Sequence, residues 1–338
     1  MKSRSSMPTQ TDVAELAGVS TATVSRVING SNDVKQPVRK RVQDAIERLH
    51  YLPHAGARAL ATRRSGTVGA IIPTLNNAIF AEGINAFERA SQELGYSLIL
   101  AVSHQDLRLE DKLVQNMIER GVEGLLLVGN EHNEQTLSLL AKSSVRHVCT
   151  WAYDASASAP NIGFDNALAM HDVVDHLVEL GHRQIGMLAG ITQSNDRALK
   201  RLDGTRLRLL HHGLNLPPER IVEVPYSIGE SRRALAGLLS TGITALVCGN
   251  DVIAYGALLE AQKMQVSVPD ELSIVGFDDL SLSAEFNPPL TTVHVGATAM
   301  GDASAKALIH AVQQSSAIAS QCLPTRLVQR GTTSLCQR

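Results

Sequence analysis

The sequence predicts an α/β protein with a small helical head followed by a body of two doubly wound halves, each built on a parallel sheet. Three observations carry this. Thr11 to Asn29 reads TDVAELAGVSTATVSRVIN, two short helical patterns either side of a glycine turn. From Thr67 onward, short continuous apolar runs alternate with amphipathic helical stretches, the pattern of strands covered on both faces. That alternation starts afresh near residue 167, which doubles the unit.

The head comes first. Residues 1–10 read as a disordered tail. Thr11 is placed to cap the first helix, with Val13, Ala14, Leu16 and Ala17 on its inner face. Gly18 supplies the turn, because a residue without Cβ bends there at no steric cost. Ser20 caps the second helix, where Val24, Val27 and Ile28 face inward. Thr21, Ala22, Thr23, Ser25 and Arg26 are left on the outer face, small, polar or cationic. A helix entering the major groove of a duplex needs such a face; an ordinary helical hairpin is the plainer alternative. Pro37 opens a third helix running to about Leu49, with Val38, Val42, Ala45, Ile46 and Leu49 at helical spacing. Arg39, Lys40 and Arg41 near its start suit either phosphate contact or a solvated face.

The first stretch closely resembles the headpiece of the lactose-repressor (LacI/GalR) family, of the form xDVAxxAGVSxxTVSRVxN. It matches at Asp12, Val13, Ala14, Ala17, Gly18, Val19, Ser20, Thr23, Val24, Ser25, Arg26, Val27 and Asn29. The resemblance implies a DNA-binding surface made of Thr11, Ser20, Thr21, Ala22, Thr23, Ser25, Arg26 and Asn29. The segment of about 54–62 contains ARALA, similar to the family's hinge helix. Isolated helices of that length are marginal in water, so it should fold only when held. By the resemblance, Ala57 and Arg58 face the minor groove of operator DNA, and Leu60 is the wedge between base pairs. Arg63 to Gly66 form the linker.

The body follows in order. Strands are expected at 68–73, 96–101, 122–129, 146–151 and 161–164, with helices at 78–94, 107–120 and 134–142 between them. The second set has helices at 167–180, 197–212, 230–240 and 252–264. Its strands lie at 184–189, 221–225, 244–249, 272–277 and 290–295. A last long helix at 297–312 and one short strand near 322–327 end the chain. This arrangement resembles the periplasmic sugar-binding-protein fold used by LacI-type repressors. In that fold the chain crosses between halves three times, here near 164, 295 and 325. The expected organisation is therefore a headpiece with hinge over 1–64 and an effector-binding and dimerisation body over 65–338. The first half of the body comprises 66–164 and 296–322, the second 165–294 and 325–338.

Composition sets the outer bounds. The 338 residues are 44% hydrophobic, 19% charged and 3% aromatic, a globular protein with an aliphatic core. Residues 1–65 hold 11 Lys and Arg against 5 Asp and Glu, and the remainder 20 against 28. A basic head on an acidic body fits a head that meets phosphate. A polar N-terminus without an apolar run predicts a cytoplasmic protein with no signal peptide or membrane span. Cys149, Cys248, Cys322 and Cys336 are scattered, so no metal or cofactor is expected. Neither GxSxG, nor a P-loop, nor a dinucleotide fingerprint occurs, and His182 and His211-His212 read as structural; no enzyme activity is expected.

Open parallel sheets bind ligands beyond the carboxyl ends of their strands. Residues just after each strand are therefore the cleft candidates. These are Thr74, Asn76, Asn77 and Phe80 after the first strand, and Ser194, Asp196, Arg197 and Arg201 at the start of the second half. Tyr226, Asn250-Asp251 and Asp278-Asp279 follow later strands. By resemblance, the strongest contacts fall at Arg197 or Arg201, Asn250 and Asp278, with Thr74, Asn76, Phe80 and Tyr226 completing the site. Asp and Asn suit vicinal hydroxyls, and an Arg fork suits a carboxylate. The TLxNxxFAE stretch (74–82) is also similar to that of gluconate-type repressors in the family. A sugar acid is the favoured effector, with a neutral sugar or a purine as alternatives. The implied partners are operator DNA and a second copy of the chain; without a leucine-heptad tail, a dimer is favoured over a tetramer.

Overall fold

The structure, a computed structural model, describes residues 8–28, 30–31, 33–52 and 64–337. The chain forms two compact units, Met1–Gly66 and Thr67–Arg338. The expectations at Asn29, Ala57, Arg58 and Leu60 lie outside the described residues.

The first unit holds α1 (Gln10–Ala17), α2 (Thr21–Ile28) and α3 (Gln36–Leu49). The cap of α1 is Thr9, not Thr11. The Asp12 N–H donates to the Thr9 hydroxyl, and the Asp12 carboxylate accepts from the Thr9 N–H at 2.6 Å. This reciprocal box needs an acceptor three residues after the cap; Asp12 stands there for Thr9, whereas Ala14 would for Thr11. The same two groups hold the Asp12 carboxyl below its ordinary pKa. Gly18 ends the helix at φ 63, its N–H bonded to the carbonyls of Ala14 and Glu15. Ser20 caps α2 as expected, accepting from the Thr23 N–H at 3.2 Å. Val13, Ala14, Ala17, Val24, Val27, Val42, Ala45 and Tyr51 form the core. Leu16 is not part of it and is 42% exposed. It sits roughly 100° round the helix from the centre of the Val13–Ala14–Ala17 stripe.

The second unit opens with β1 (Thr67–Ile72), α4 (Ala78–Glu93), β2 (Ser97–Val102), α5 (Leu107–Glu119) and β3 (Gly124–Val128). Then come α6 (Glu134–Lys142), β4 (Arg146–Thr150), β5 (Asn161–Gly163), α7 (Ala169–Glu179) and β6 (Ile185–Gly190). Next are α8 (Asp196–His211), β7 (Ile221–Val224), α9 (Ile228–Leu239), β8 (Ala245–Cys248) and α10 (Asp251–Lys263). The rest is β9 (Ser273–Val275), β10 (Thr292–His294), α11 (Ala297–Gln314), β11 (Gln321–Cys322) and β12 (Arg326–Val328).

Two parallel sheets result, in the orders β11-β5-β4-β3-β1-β2 and β7-β6-β8-β9. A third, two-stranded sheet pairs β10 with β12 antiparallel. The interior strands β3, β6 and β8 are buried along their whole length, while the edge strand β2 is half exposed. In the first sheet the side chains alternate as the pleat requires. Val68, Ala70, Ile72 and Leu126 pack with Phe87 of α4 and Leu308 of α11. Ile71, Leu125, Leu127 and Cys149 pack on the other face with Val114, Met117 and Leu140.

The single strand expected near 322–327 is two. β11 lies beside β5 in the first sheet and β12 beside β10. Pro324, which has no N–H to give a ladder, stands between them. The chain passes from the first sheet to the second after β5, returns through α11 and leaves again after β11.

Candidate functional site

Two surfaces stand out, one in each unit. In the head, Thr21, Ala22 and Arg26 are exposed on α2, with Thr23 and Ser25 half-buried beside them. Ser20, also exposed, has its hydroxyl 3.0 Å from that of Thr23. The Gln10 amide donates to the Thr21 carbonyl at 2.9 Å and fixes the start of α2 against α1. Thr11 lies exposed in the first turn of α1. Lys40 and Arg41 are exposed, but the Arg39 guanidinium closes a loop instead, donating to the Ser31 carbonyl at 2.7 Å.

In the second unit a cavity of about 20 Å³ lies beyond the carboxyl ends of the strands of both sheets. It is lined by Asn77, Ile79, Phe80, Trp151, Phe164, Arg197, Arg201, Tyr226, Asn250 and Asp278. Of the eight expected residues, the fold brings together Phe80, Arg197, Arg201, Tyr226, Asn250 and Asp278. It does not bring Thr74 or Asn76. The cap of α4 is Asn77, whose side chain accepts from the Ile79 N–H, so the chain turns into the helix after Asn76 has faced outward. The Thr74 hydroxyl is spent within that turn, accepting from the Asn76 N–H at 3.0 Å.

The polar wall is anchored by Arg201. One guanidinium nitrogen donates to Asn166 Oδ1 at 2.6 Å, another to the Tyr226 hydroxyl at 3.1 Å, and the group lies 4.8 Å from the ring centre of Phe277. Asn166 in turn donates to the Trp151 carbonyl at 2.9 Å. Gly190 is required beside this network, because a Cβ there would stand 2.5 Å from the Tyr226 hydroxyl. Asp278 sits at φ 117, and burial drives its carboxyl well above the ordinary range against the opposing charge of Arg201. The next residue, Asp279, is tied by Arg330 at 2.6 Å and by His294 at 3.0 Å. Wholly buried Asp251 accepts from the Leu280 N–H at 2.8 Å and the Thr292 hydroxyl at 2.5 Å, fixing the loop that carries Asp278.

The other wall is aromatic. Phe80 and Trp151 have ring centres 5.2 Å apart, and Phe164 packs 5.9 Å from Phe277. Trp151, at φ 58, presses its ring against Gly83, where a Cβ would come within 2.5 Å. Trp151 Nε1 and Arg201 Nε are buried without a hydrogen-bond partner among the described residues. Such donors favour a ligand that brings acceptors. The two halves meet at the rim: the Asn130 N–H donates to Asp196 Oδ2 at 2.8 Å, and Arg197 donates to the Val128 carbonyl at 3.2 Å. The cavity has room for about one water molecule, so a sugar-sized ligand requires these walls to part. Sequence reasoning missed Ile79, Trp151 and Phe164; the one usable signal was that the chain's single Trp is the last residue of a predicted strand, as Phe164 is of the next. No cluster suited to a metal ion, and no helix long and apolar enough to cross a membrane, occurs among the described residues.

Comparison with known proteins finds relatives of both units. The model of bacterial regulatory proteins of the lacI family matches residues 9–54, and that of the periplasmic binding protein-like domain matches 174–333. The chain is 35% identical to catabolite control protein A of Priestia megaterium over 86% of this chain and 89% of that one. It is 30% identical to the ribose operon repressor of Escherichia coli K12 over 91% and 94%. Among solved structures, the Lac repressor dimer bound to operator and the anti-inducer ONPF superposes with a TM-score of 0.88 at 29% identity, covering 97% of this chain and all of that one.

Proposed function

This chain belongs to the lacI family of bacterial regulatory proteins, and from that premise we propose how it regulates transcription. It is a cytoplasmic repressor that binds a nearly palindromic operator as a homodimer. Its affinity for the operator is set by a small carbohydrate-type effector held between the two halves of the body, and a sugar acid such as gluconate is favoured. In each protomer α2 enters the major groove and the segment at 54–62 fills the central minor groove, with Leu60 as the wedge. Effector binding alters the contact between the halves, and a coupling of roughly 1–3 kcal/mol suffices to melt or set a short marginal helix.

The single observation that supports the effector reading is the cleft's lining. Aromatics make up 3% of the chain, yet Phe80, Trp151, Phe164 and Tyr226 all line this one cavity beside unpartnered donors on Trp151 and Arg201. Flat faces with donors between them suit a ring or chain rich in oxygen acceptors. A neutral sugar is the second reading, favoured by the pairing of Arg197 with Asp196 at 2.9 Å and by a buried Asp278 carboxyl that resists ionising and so suits a hydroxyl.

The test is thermal denaturation of the full protein with sugar acids, neutral sugars and purines. A ligand at a hundred times its Kd stabilises by about 2.7 kcal/mol. The sugar acids should give the largest shift and should change operator affinity. A shift with purines alone overturns the carbohydrate reading, and no response to any of the three classes overturns the site.

A further inference from the structure

A buried polar cluster centred on His132 lies outside the lining of the cleft. His132, in the loop between β3 and α6, has a side chain 1% exposed. Its Nδ1 is 2.7 Å from Glu110 Oε1 of α5. Its Nε2 is 3.2 Å from the Gly129 carbonyl oxygen and 3.5 Å from Cys149 Sγ of β4. Carboxylate and carbonyl oxygens accept and do not donate. Each ring nitrogen thus has an oxygen acceptor within reach, and the doubly protonated imidazolium donates to both oxygens at once, leaving the Cys149 sulfur as a weaker neighbour of Nε2.

The surrounding charges agree. Burial by itself lowers the pKa of His132, but Cys149 and Glu110 outweigh it and raise it to about 10. His147 of β4 is pushed the other way, by burial and then by the charge on His132. Asp111, the neighbour of Glu110 on α5, accepts from Asn133 at 2.9 Å and Thr136 at 2.7 Å. Two successive carboxylates of α5 thus hold the loop.

The same loop makes the first half's share of the rim contact with Asp196 and Arg197 of α8. The carbonyl gripped by His132 belongs to Gly129, and the N–H that reaches Asp196 belongs to Asn130. They are the two ends of one peptide unit. That unit is planar, so fixing its oxygen fixes the direction of its N–H. Drawing charge from the carbonyl also makes the N–H a stronger donor. Gly129, at φ 85, has no room for a Cβ, which would stand 2.5 Å from Asp196 Oδ1 and closer still to Arg197, so the close approach of the loop to α8 requires glycine there.

We propose that His132 is a positioning residue for cleft closure: its imidazolium holds the Gly129–Asn130 peptide so that the Asn130 N–H meets Asp196 across the cleft. Its functional meaning rests on the cleft being the effector site, but the contact is read without adding a ligand.

The experiment uses full-length isotopically labelled protein at pH 7–9. Ring nitrogen resonances of His132 should show both nitrogens protonated throughout, and Glu110→Gln should lower the titration midpoint by at least one pH unit. Protection of the Asn130 amide against hydrogen exchange should fall at least tenfold in His132→Gln and in Glu110→Gln, and stay unchanged in His147→Gln. Asp196→Ala should lower it similarly, with no further loss in the Asp196→Ala/His132→Gln double variant, because both act through one contact. If His132→Gln fails to fold, Glu110→Gln, which keeps the imidazole, decides. A neutral His132 at pH 8, full Asn130 protection in Glu110→Gln, additive losses, or an equal loss in His147→Gln would overturn the assignment. None of these outcomes depends on which ligand the thermal denaturation panel finds.

Discussion

Asp278 combines a backbone at φ 117 with a carboxyl that burial resists ionising. Both features cost stability, and such costs gather where a ligand is met. Its folded pKa is raised, so the folded state holds the proton more tightly than the unfolded one. Stability contributed by this group therefore falls as pH rises above the ordinary value of 3.8 and goes on falling up to the folded value. Asp278→Asn should stabilise the protein by about 1–3 kcal/mol at pH 7, with the gain shrinking as pH falls toward 4. The same variant should lose its response to effector in an operator-binding assay. At this scale Arg201, Asn250 and Asp278 were legible because each stands immediately beyond a strand or in the first turn and a half of the helix after one. Trp151 also follows a strand, but nothing local marks it. Its role depends on Gly83, which lies 68 positions earlier and leaves room for the indole.

The helical elements were legible to within a few residues, because their caps and stripes are local. The capping box of α1 shows the limit. Two threonines stood near the helix start, and only the spacing to Asp12 distinguishes them. Thr9→Ala should cost the head about 1 kcal/mol, read as a lower melting midpoint of residues 1–52, while Thr11→Ala should cost far less. Operator contact is tested on α2 and on the 54–62 segment. Arg26→Ala should lower the slope of log affinity against log salt by about 0.9 per protomer if its guanidinium meets a phosphate. Leu60→Ala should weaken operator binding strongly and leave effector binding unchanged, measured side by side on the same preparation. The β11–β12 break was not legible. Hydrophobicity marks a strand but not the sheet it joins, and Pro324 was the only sign of a change of partner.

At the scale of the whole molecule, the repeat of strands and helices announced two sheets, and their carboxyl ends announced where the lined cavity lies. The rim contact was not foreseeable, because Asn130 and Asp196 are 66 positions apart and join through backbone. The ion pair behind it gives the body a pH dependence of known sign. His132 has its folded pKa raised from 6.5 to about 10, so the stability it contributes is fully present below about pH 6.5 and is lost as pH rises through 10. Denaturation midpoints across that window should fall for the native chain and change less for Glu110→Gln.

The return of the chain through α11 and β11 has a consequence for synthesis. The first sheet begins at Thr67 but receives its last strand at Gln321–Cys322, after every strand of the second sheet has been made. A nascent polypeptide leaving the ribosome therefore carries a completed head long before either layer of the body can close. A message truncated ahead of Ala297 would yield a product whose first sheet lacks both its edge strand and the helix packed on it. Such a fragment exposes the apolar face that α11 covers in the complete chain, the kind of surface chaperones engage.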